Sequence, residues 1–310
     1  MNKYKPEGLL IADAKNYELT KSYEGLKYAM ERQLILESTV TMCDHQFNLF
    51  VDLGQGIKGI VPRDEVVYSS SEPVKDIAIL TRVGKTISFK VIGFSSDRNE
   101  KKIAILSRRA AQKECVENYI STLMPGDIIP ARITHIENFG AFVDIGCGIT
   151  SLLSIDTISI SRISHPSFRI NVGDFIYTVV KGRDTLDRIF VSERELLGTW
   201  EENAALFKVG ETVTGVIRSV ESYGVFVELK PNLAGLAEYR GDVHPGQCAA
   251  VYIKSIIPEK MKIKLIIIDT SDGNAKNAPL DYFIDVQSIT HIDSWRYSPA
   301  SSNRTIETLF

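Results

Sequence analysis

The chain has 310 residues, 36 Lys and Arg against 39 Asp and Glu, a net charge of -3, and 44% apolar, 24% charged and 9% aromatic residues. That composition excludes the disordered, collagen-like and disulfide-scaffold classes, and its length favours several modules over one core. No apolar run approaches the roughly 18 to 20 residues of a spanning helix, and Lys3, Lys5, Glu7, Asp13 and Lys15 break up any signal peptide, so a cytoplasmic protein with no membrane partner is expected.

In chain order, residues 1–30 read as a helical leader, with Ser22 as a cap and Leu26, Ala29 and Met30 on one face. Phe47, Phe50, Val51, Asp52 and Leu53 then open a pattern that returns twice. It recurs 92 residues later, Phe50 to Phe142, and 84 residues after that, Phe142 to Phe226. Phe139-Gly140 meets Tyr223-Gly224, and Phe142-Val143-Asp144-Ile145 meets Phe226-Val227-Glu228-Leu229 without a gap. In the second copy Ile129, Ala131 and Ile133 face one way and Ile128, Arg132 and Thr134 the other, the period of a strand. Strands are predicted at Ile128 to Ile136, Ala141 to Ile145, Ile149 to Leu153, Phe175 to Gly182 and Ile189 to Ser192, enough for a small barrel. Gly140 suits a tight bend and Gly146-Cys147-Gly148 a hairpin turn.

Helical spacing falls between copies, at Val116, Tyr119, Ile120 and Leu123 and at Leu197, Trp200, Ala204 and Phe207, which predicts linker helices. Ser271 to Pro279 is rich in turn formers, and Tyr282 to Val286 and Ile306 to Phe310 predict an appended strand or two. The expected divisions are a leader at 1–30, a divergent first repeat at 31–110, a second repeat with its linker helices at 111–200, a shortened third at 201–268 and a C-terminal extension at 269–310.

Phe139-Gly140-Ala141-Phe142-Val143-Asp144-Ile145, followed by Ser161-Arg162-Ile163-Ser164-His165-Pro166, Val172-Gly173-Asp174 and Arg188-Ile189-Phe190-Val191-Ser192, resembles the ribosomal protein S1 RNA-binding domain. The likeness covers roughly residues 31 to 268, best in the second copy and weakest in the first. It implies an all-β chain of three tandem five-stranded OB-fold barrels of the S1 type, with short linker helices and a C-terminal extension. It also implies an RNA-binding face on the outer surface of the sheet. Carried over by residue, Phe139 and Phe142 become base-stacking platforms, and Asp184 with Arg188 polar contacts before the last strand. The family's histidine after the third strand is replaced by Ser154, by Pro62 in the first copy and by Glu238 in the third. The third copy offers Tyr223, Phe226 and Lys262, with Pro258 in place of the aspartate; the first offers Phe47, Phe50 and Lys102.

Exposed aromatics on a curved sheet give every base a face to stack on. A strand phenylalanine is more often core. Here an aromatic recurs in all three copies, opposite Ala141 and Val143 and on the same side of its strand as the polar Asp144, which favours the outer face. Arg188 alone reads equally as a solvated surface charge. Residues 125–196 carry seven bases against nine acids, so backbone-driven binding of duplex DNA is not expected and unpaired strands fit better. Gly54-Gln55-Gly56-Ile57-Lys58-Gly59 mimics a dinucleotide fingerprint, but a strand follows it, so no cofactor is expected. The five histidines and four cysteines lack ligand spacing, so no metal is expected and the thiols read as reduced and mostly buried. Three barrels leave no room for a catalytic domain. The expectation is a non-enzymatic protein that binds single-stranded messenger RNA in translation, with the small ribosomal subunit as a further partner. The alternative is an interaction scaffold on the ribosome or an RNA-processing complex, with RNA contact secondary.

Overall fold

The alternation read in the second copy builds a closed barrel, and the same architecture recurs on either side of it. The computed structural model describes residues 3–54, 56–69, 74–96, 102–272 and 280–310. The first barrel contains β1 (Leu36–Cys43), β2 (Leu49–Asp52), β3 (Lys58–Val61), β4 (Thr86–Ser96) and β5 (Lys102–Ser107). The second contains β6 (Ile128–Glu137), β7 (Gly140–Asp144), β8 (Thr150–Ser154), β9 (Phe175–Arg183) and β10 (Ile189–Ser192). The third contains β11 (Thr212–Glu221), β12 (Gly224–Lys230), β13 (Leu233–Ala237), β14 (Cys248–Ile257) and β15 (Lys262–Ser271). Each closes in the cyclic order first, second, third, fifth, fourth, with the third and fifth strands parallel. That is the OB-fold arrangement. The predicted strands of the second barrel match the observed ones to within about a residue at each end.

The helices are α1 (Ala14–Thr20), α2 (Tyr23–Glu31), α3 (Asp76–Leu80), α4 (Arg108–Asn118), α5 (Ile155–Ile158) and α6 (Trp200–Ala204). Ser22 caps α2 as expected, its hydroxyl accepting from the Gly25 amide at 3.0 Å. α4 begins earlier than the apolar spacing indicated. Ser107 caps it, and its buried face is Arg108, Ala111, Gln112 and Cys115, a half-polar set that hydropathy does not reveal. No described helix is long and apolar enough to cross a membrane. The turn-rich run at 271–279 lies almost entirely outside the described residues. The extension beyond it forms a two-stranded sheet of β16 (Ser294–Arg296) and β17 (Glu307–Leu309).

Contacts divide the chain into two compact units, Met1–Leu123 with Pro130–Arg132 and Asp144–Thr150, and the remainder. In the first unit, Leu26 and Ala29 of α2 join the core of β1 to β5. A polar knot also holds it. Arg108, 1% exposed, donates from Nε to Glu7 Oε1 at 2.7 Å and from Nη2 to Glu7 Oε2 at 3.2 Å. The Glu7 amide donates to Asp144 Oδ2 at 2.6 Å, and Arg132 donates to the Glu7 carbonyl at 2.7 Å. Asp144 is therefore 2% exposed, which corrects its reading as a marker of the solvent side. Burial, with Glu7 beside it, pushes its carboxyl up to about 7. Cys115 and Cys147 are buried here, whereas Cys43 and Cys248 are half-buried; all four are free thiols.

In the second unit the C-terminal extension packs on two barrels. Tyr282, Ile284, Val286, Ile292 and Phe310 cover Ile128, Val179 and Leu196, while Trp295 and Tyr297 join the core of β11 to β15 with Trp200. At this seam Glu193 is fully buried. Its Oε1 accepts from the Tyr282 hydroxyl at 3.3 Å and its Oε2 has no hydrogen-bond partner among the described residues. Desolvation pushes this carboxyl up to about 8. An unfolded glutamate titrates near 4.3, so from roughly pH 4.3 to 8 the folded chain holds a proton that the unfolded chain has released. This contribution to stability is largest at the acid end and is lost as pH rises through about 8. Glu193→Gln should therefore flatten the decline in melting temperature across that window. Parallel pH profiles for the two proteins would contradict this.

Candidate nucleic-acid interface

The second and third strands position the aromatic pairs, and a glycine makes the placement possible. Gly140 has φ +155°, and a Cβ there would lie 2.3 Å from the Leu153 carbonyl oxygen; at Gly224, φ +154°, it would lie 2.6 Å from that of Ala237. Only a residue without a side chain lets the second strand pass so close to the end of the third. Phe139 and Tyr223, just before these glycines, are thereby turned outward, 53% and 68% exposed. Phe139 meets Phe142 edge to face at 6.0 Å and 86°, and Tyr223 meets Phe226 at 6.1 Å and 88°. Phe142 and Phe226 are half-buried. The two barrels thus carry one arrangement.

The first barrel departs from it. Asn48 stands where the glycine would be, bonded to Asp44, and the left-handed conformation moves to Phe47, φ +63°. Phe47 packs against the core and carries the Arg63 guanidinium 4.9 Å above its ring. It is not paired with Phe50 as its counterparts are paired in the other barrels. Lys102, the basic candidate of this barrel, lies 3.6 Å over the Tyr23 ring.

Asp184 and Arg188 are brought together, but to each other. Asp184 Oδ1 accepts from the amides of Leu186 and Arg188, each at 2.9 Å, and its Oδ2 accepts from Arg188 Nε at 2.7 Å. The Arg188 amide first, then its guanidinium, hold the Asp184 carboxyl below the usual range. Asp184 thus orients the loop and Arg188, whose side chain is 70% exposed, reaches solvent. Ser154 donates to Asp156 Oδ1 at 2.5 Å, so the end of β8 presents a hydroxyl tied to a carboxylate.

In the third barrel Lys262 is exposed at the start of β15, paired in register with Ile257. Lys264 is nearer to the aromatic: Phe226, Leu236 and Lys264 lie side by side across three strands. Strand alternation from Lys262 could have found it. Sequence reading also missed His135. Its ring lies 6.4 Å from that of Phe142, at 17°, and its Nε2 is 2.7 Å from Glu137 Oε1.

Among the described residues no group of three or more His, Cys, Asp or Glu is placed to hold a metal ion. A crevice of about 850 Å³ opens elsewhere in the second unit, walled by Phe168, Arg169, Arg218, Glu228 and Phe283. A stacking surface needs no such concavity.

The family model of the S1 RNA binding domain matches residues 33–108 and 122–194. The small ribosomal subunit protein bS1 of Staphylococcus aureus (strain COL) is 29% identical over 278 residues, covering 84% of this chain and 68% of that protein. The bS1 of Staphylococcus haemolyticus (strain JCSC1435) is 29% identical over 279 residues, with the same coverage. A crystal structure of a multidomain protein with nucleic acid binding domains from Streptococcus pneumoniae TIGR4 aligns over 76% of this chain and 73% of that one, at 15% identity and a TM-score of 0.25, too low to carry an inference.

Proposed function

We propose that this chain, whose residues 33–108 and 122–194 match the S1 RNA binding domain, is a non-enzymatic, cytoplasmic protein that binds single-stranded messenger RNA at the small ribosomal subunit during translation. The observation that carries this reading is the paired aromatic face, Phe139 with Phe142 and Tyr223 with Phe226, held in the same geometry on two barrels. Phe139, Phe142 and Arg188 are the main contacts, with Asp184 as the residue that positions Arg188. Ser154 lies beside this surface, its hydroxyl donated to Asp156. Tyr223, Phe226 and Lys262 form a second platform, and Phe50, Phe47 and Lys102 a weaker third, because the last two already engage Arg63 and Tyr23.

Bases stack on such a face with modest sequence preference, and the absence of a basic field leaves duplex backbone little to grip. The repeat boundaries proposed are 31–110, 111–200 and 201–268. Co-sedimentation of the full chain with small ribosomal subunits, before and after nuclease removes accessible messenger RNA, tests the proposal. Association that weakens once the RNA is gone is the expected result. Association indifferent to nuclease would favour the scaffold reading, in which Asp156 and Glu238 keep phosphate away.

A further inference from the structure

In the third barrel Ser219 pairs in register with Phe226 across β11 and β12, just past a bulge between Ile217 and Ser219. In the first, Met42 pairs with Phe50 past a bulge between Val40 and Met42. A bulge re-aims the side chains that follow it. The 84-residue offset puts His135 at the Ser219 place, and the ring contact with Phe142 agrees. The neighbour of the recurrent phenylalanine is thus a thioether in one barrel, an imidazole in the next and a hydroxyl in the last.

Only the imidazole of these three side chains has a planar face to offer a base. The His135 side chain is 62% exposed, and its ring lies nearly parallel to that of Phe142 while Phe139 stands edge-on to the same ring. Glu137 holds Nε2, which fixes the ring's orientation before any ligand arrives. A preset ring loses less freedom on binding than a mobile one.

We propose that His135 is a base-stacking residue of the second barrel, widening its Phe139–Phe142 platform and distinguishing that barrel from the other two. The proposal rests on the single-stranded RNA reading above. Its test uses the full chain and a fluorescein-labelled twelve-nucleotide oligouridylate, read by anisotropy, with thermal melting as a check on folding. His135→Ala should weaken binding by about fivefold or more, the lower range for one lost stacked base. His135→Phe should bind as well as the unmodified chain, because it keeps the planar face and loses only the hydrogen bonding of the ring nitrogens. Affinity within about twofold for His135→Ala, alongside a clear loss in Phe142→Ala, would overturn the inference and leave the RNA reading standing. Equal losses in His135→Ala and His135→Phe would overturn it as well, since they assign the residue a polar contact. An unmodified chain that binds no oligouridylate would instead remove the reading beneath it.

Discussion

Replacing Glu228 with alanine is expected to destabilise the second unit by about 3 to 5 kcal/mol, the usual cost of leaving buried charge without its partner. Glu228 is 5% exposed and accepts from two arginines at once. Arg169 donates from Nη1 to Oε1 at 2.7 Å and from Nη2 to Oε2 at 2.6 Å; Arg218 donates from Nε to Oε2 and from Nη2 to Oε1, both at 3.0 Å. The Arg169 and Arg218 side chains are 7% and 12% exposed, so both guanidinium groups have given up most of their hydration to this carboxylate. Both tryptophans of the chain, Trp200 and Trp295, lie in the core of β11 to β15, so their fluorescence reports this barrel. Urea unfolding followed at the tryptophans should move to a clearly lower midpoint in Glu228→Ala. A shift equivalent to less than about 1 kcal/mol, the range of an exposed pair, would show the triad to be solvated.

Phe142→Ala is expected to weaken binding of unstructured RNA by about 1 to 3 kcal/mol, roughly 5- to 150-fold, with folding nearly intact. Phe142 is half-buried on the outer side of β7, opposite the buried Ala141 and Val143, with its ring between those of Phe139 and His135. Truncation therefore opens no enclosed cavity, whereas a core phenylalanine would cost about 3 to 5 kcal/mol. Phe226→Ala should lose less, because β15 supplies Lys264 and Lys262 in place of the Asp184–Arg188 pair. Phe50→Ala should lose least, since Phe47 is turned into the core beneath Arg63. Anisotropy titrations and melting curves of the three variants give the ranking. A large fall in melting temperature for Phe142→Ala would place it in the core, and a greater affinity loss from either companion would overturn the order.

The barrels were legible because a closed sheet demands alternation, as at Ile129, Ala131 and Ile133, and because Gly140 and Gly224 are required by a backbone approach that is the same in both copies. The contacts between distant segments were not legible. Asp144 is polar and alternates outward, yet the backbone of Glu7, 137 residues earlier, covers it, and nothing local records that. Arg169 and Glu228 meet across 59 residues, and within 125–196 Arg169 counted only as one more surface base. His135 escaped because strict alternation from Ile129, Ala131 and Ile133 would point it into the core, whereas its ring lies exposed beside that of Phe142. The different setting of Phe47 was hidden as well: the aromatic recurs, but Asn48 in the glycine position sends the chain through a different turn.

The central claim, that aromatic faces on these barrels take up unpaired RNA, is tested most directly by titrating the full chain with one RNA length as a single strand and as a duplex at matched salt. The account predicts clearly tighter binding of the single strand, because its bases are free to stack while the duplex offers mainly phosphate to a chain of net charge -3. Equal or tighter binding of the duplex would contradict it.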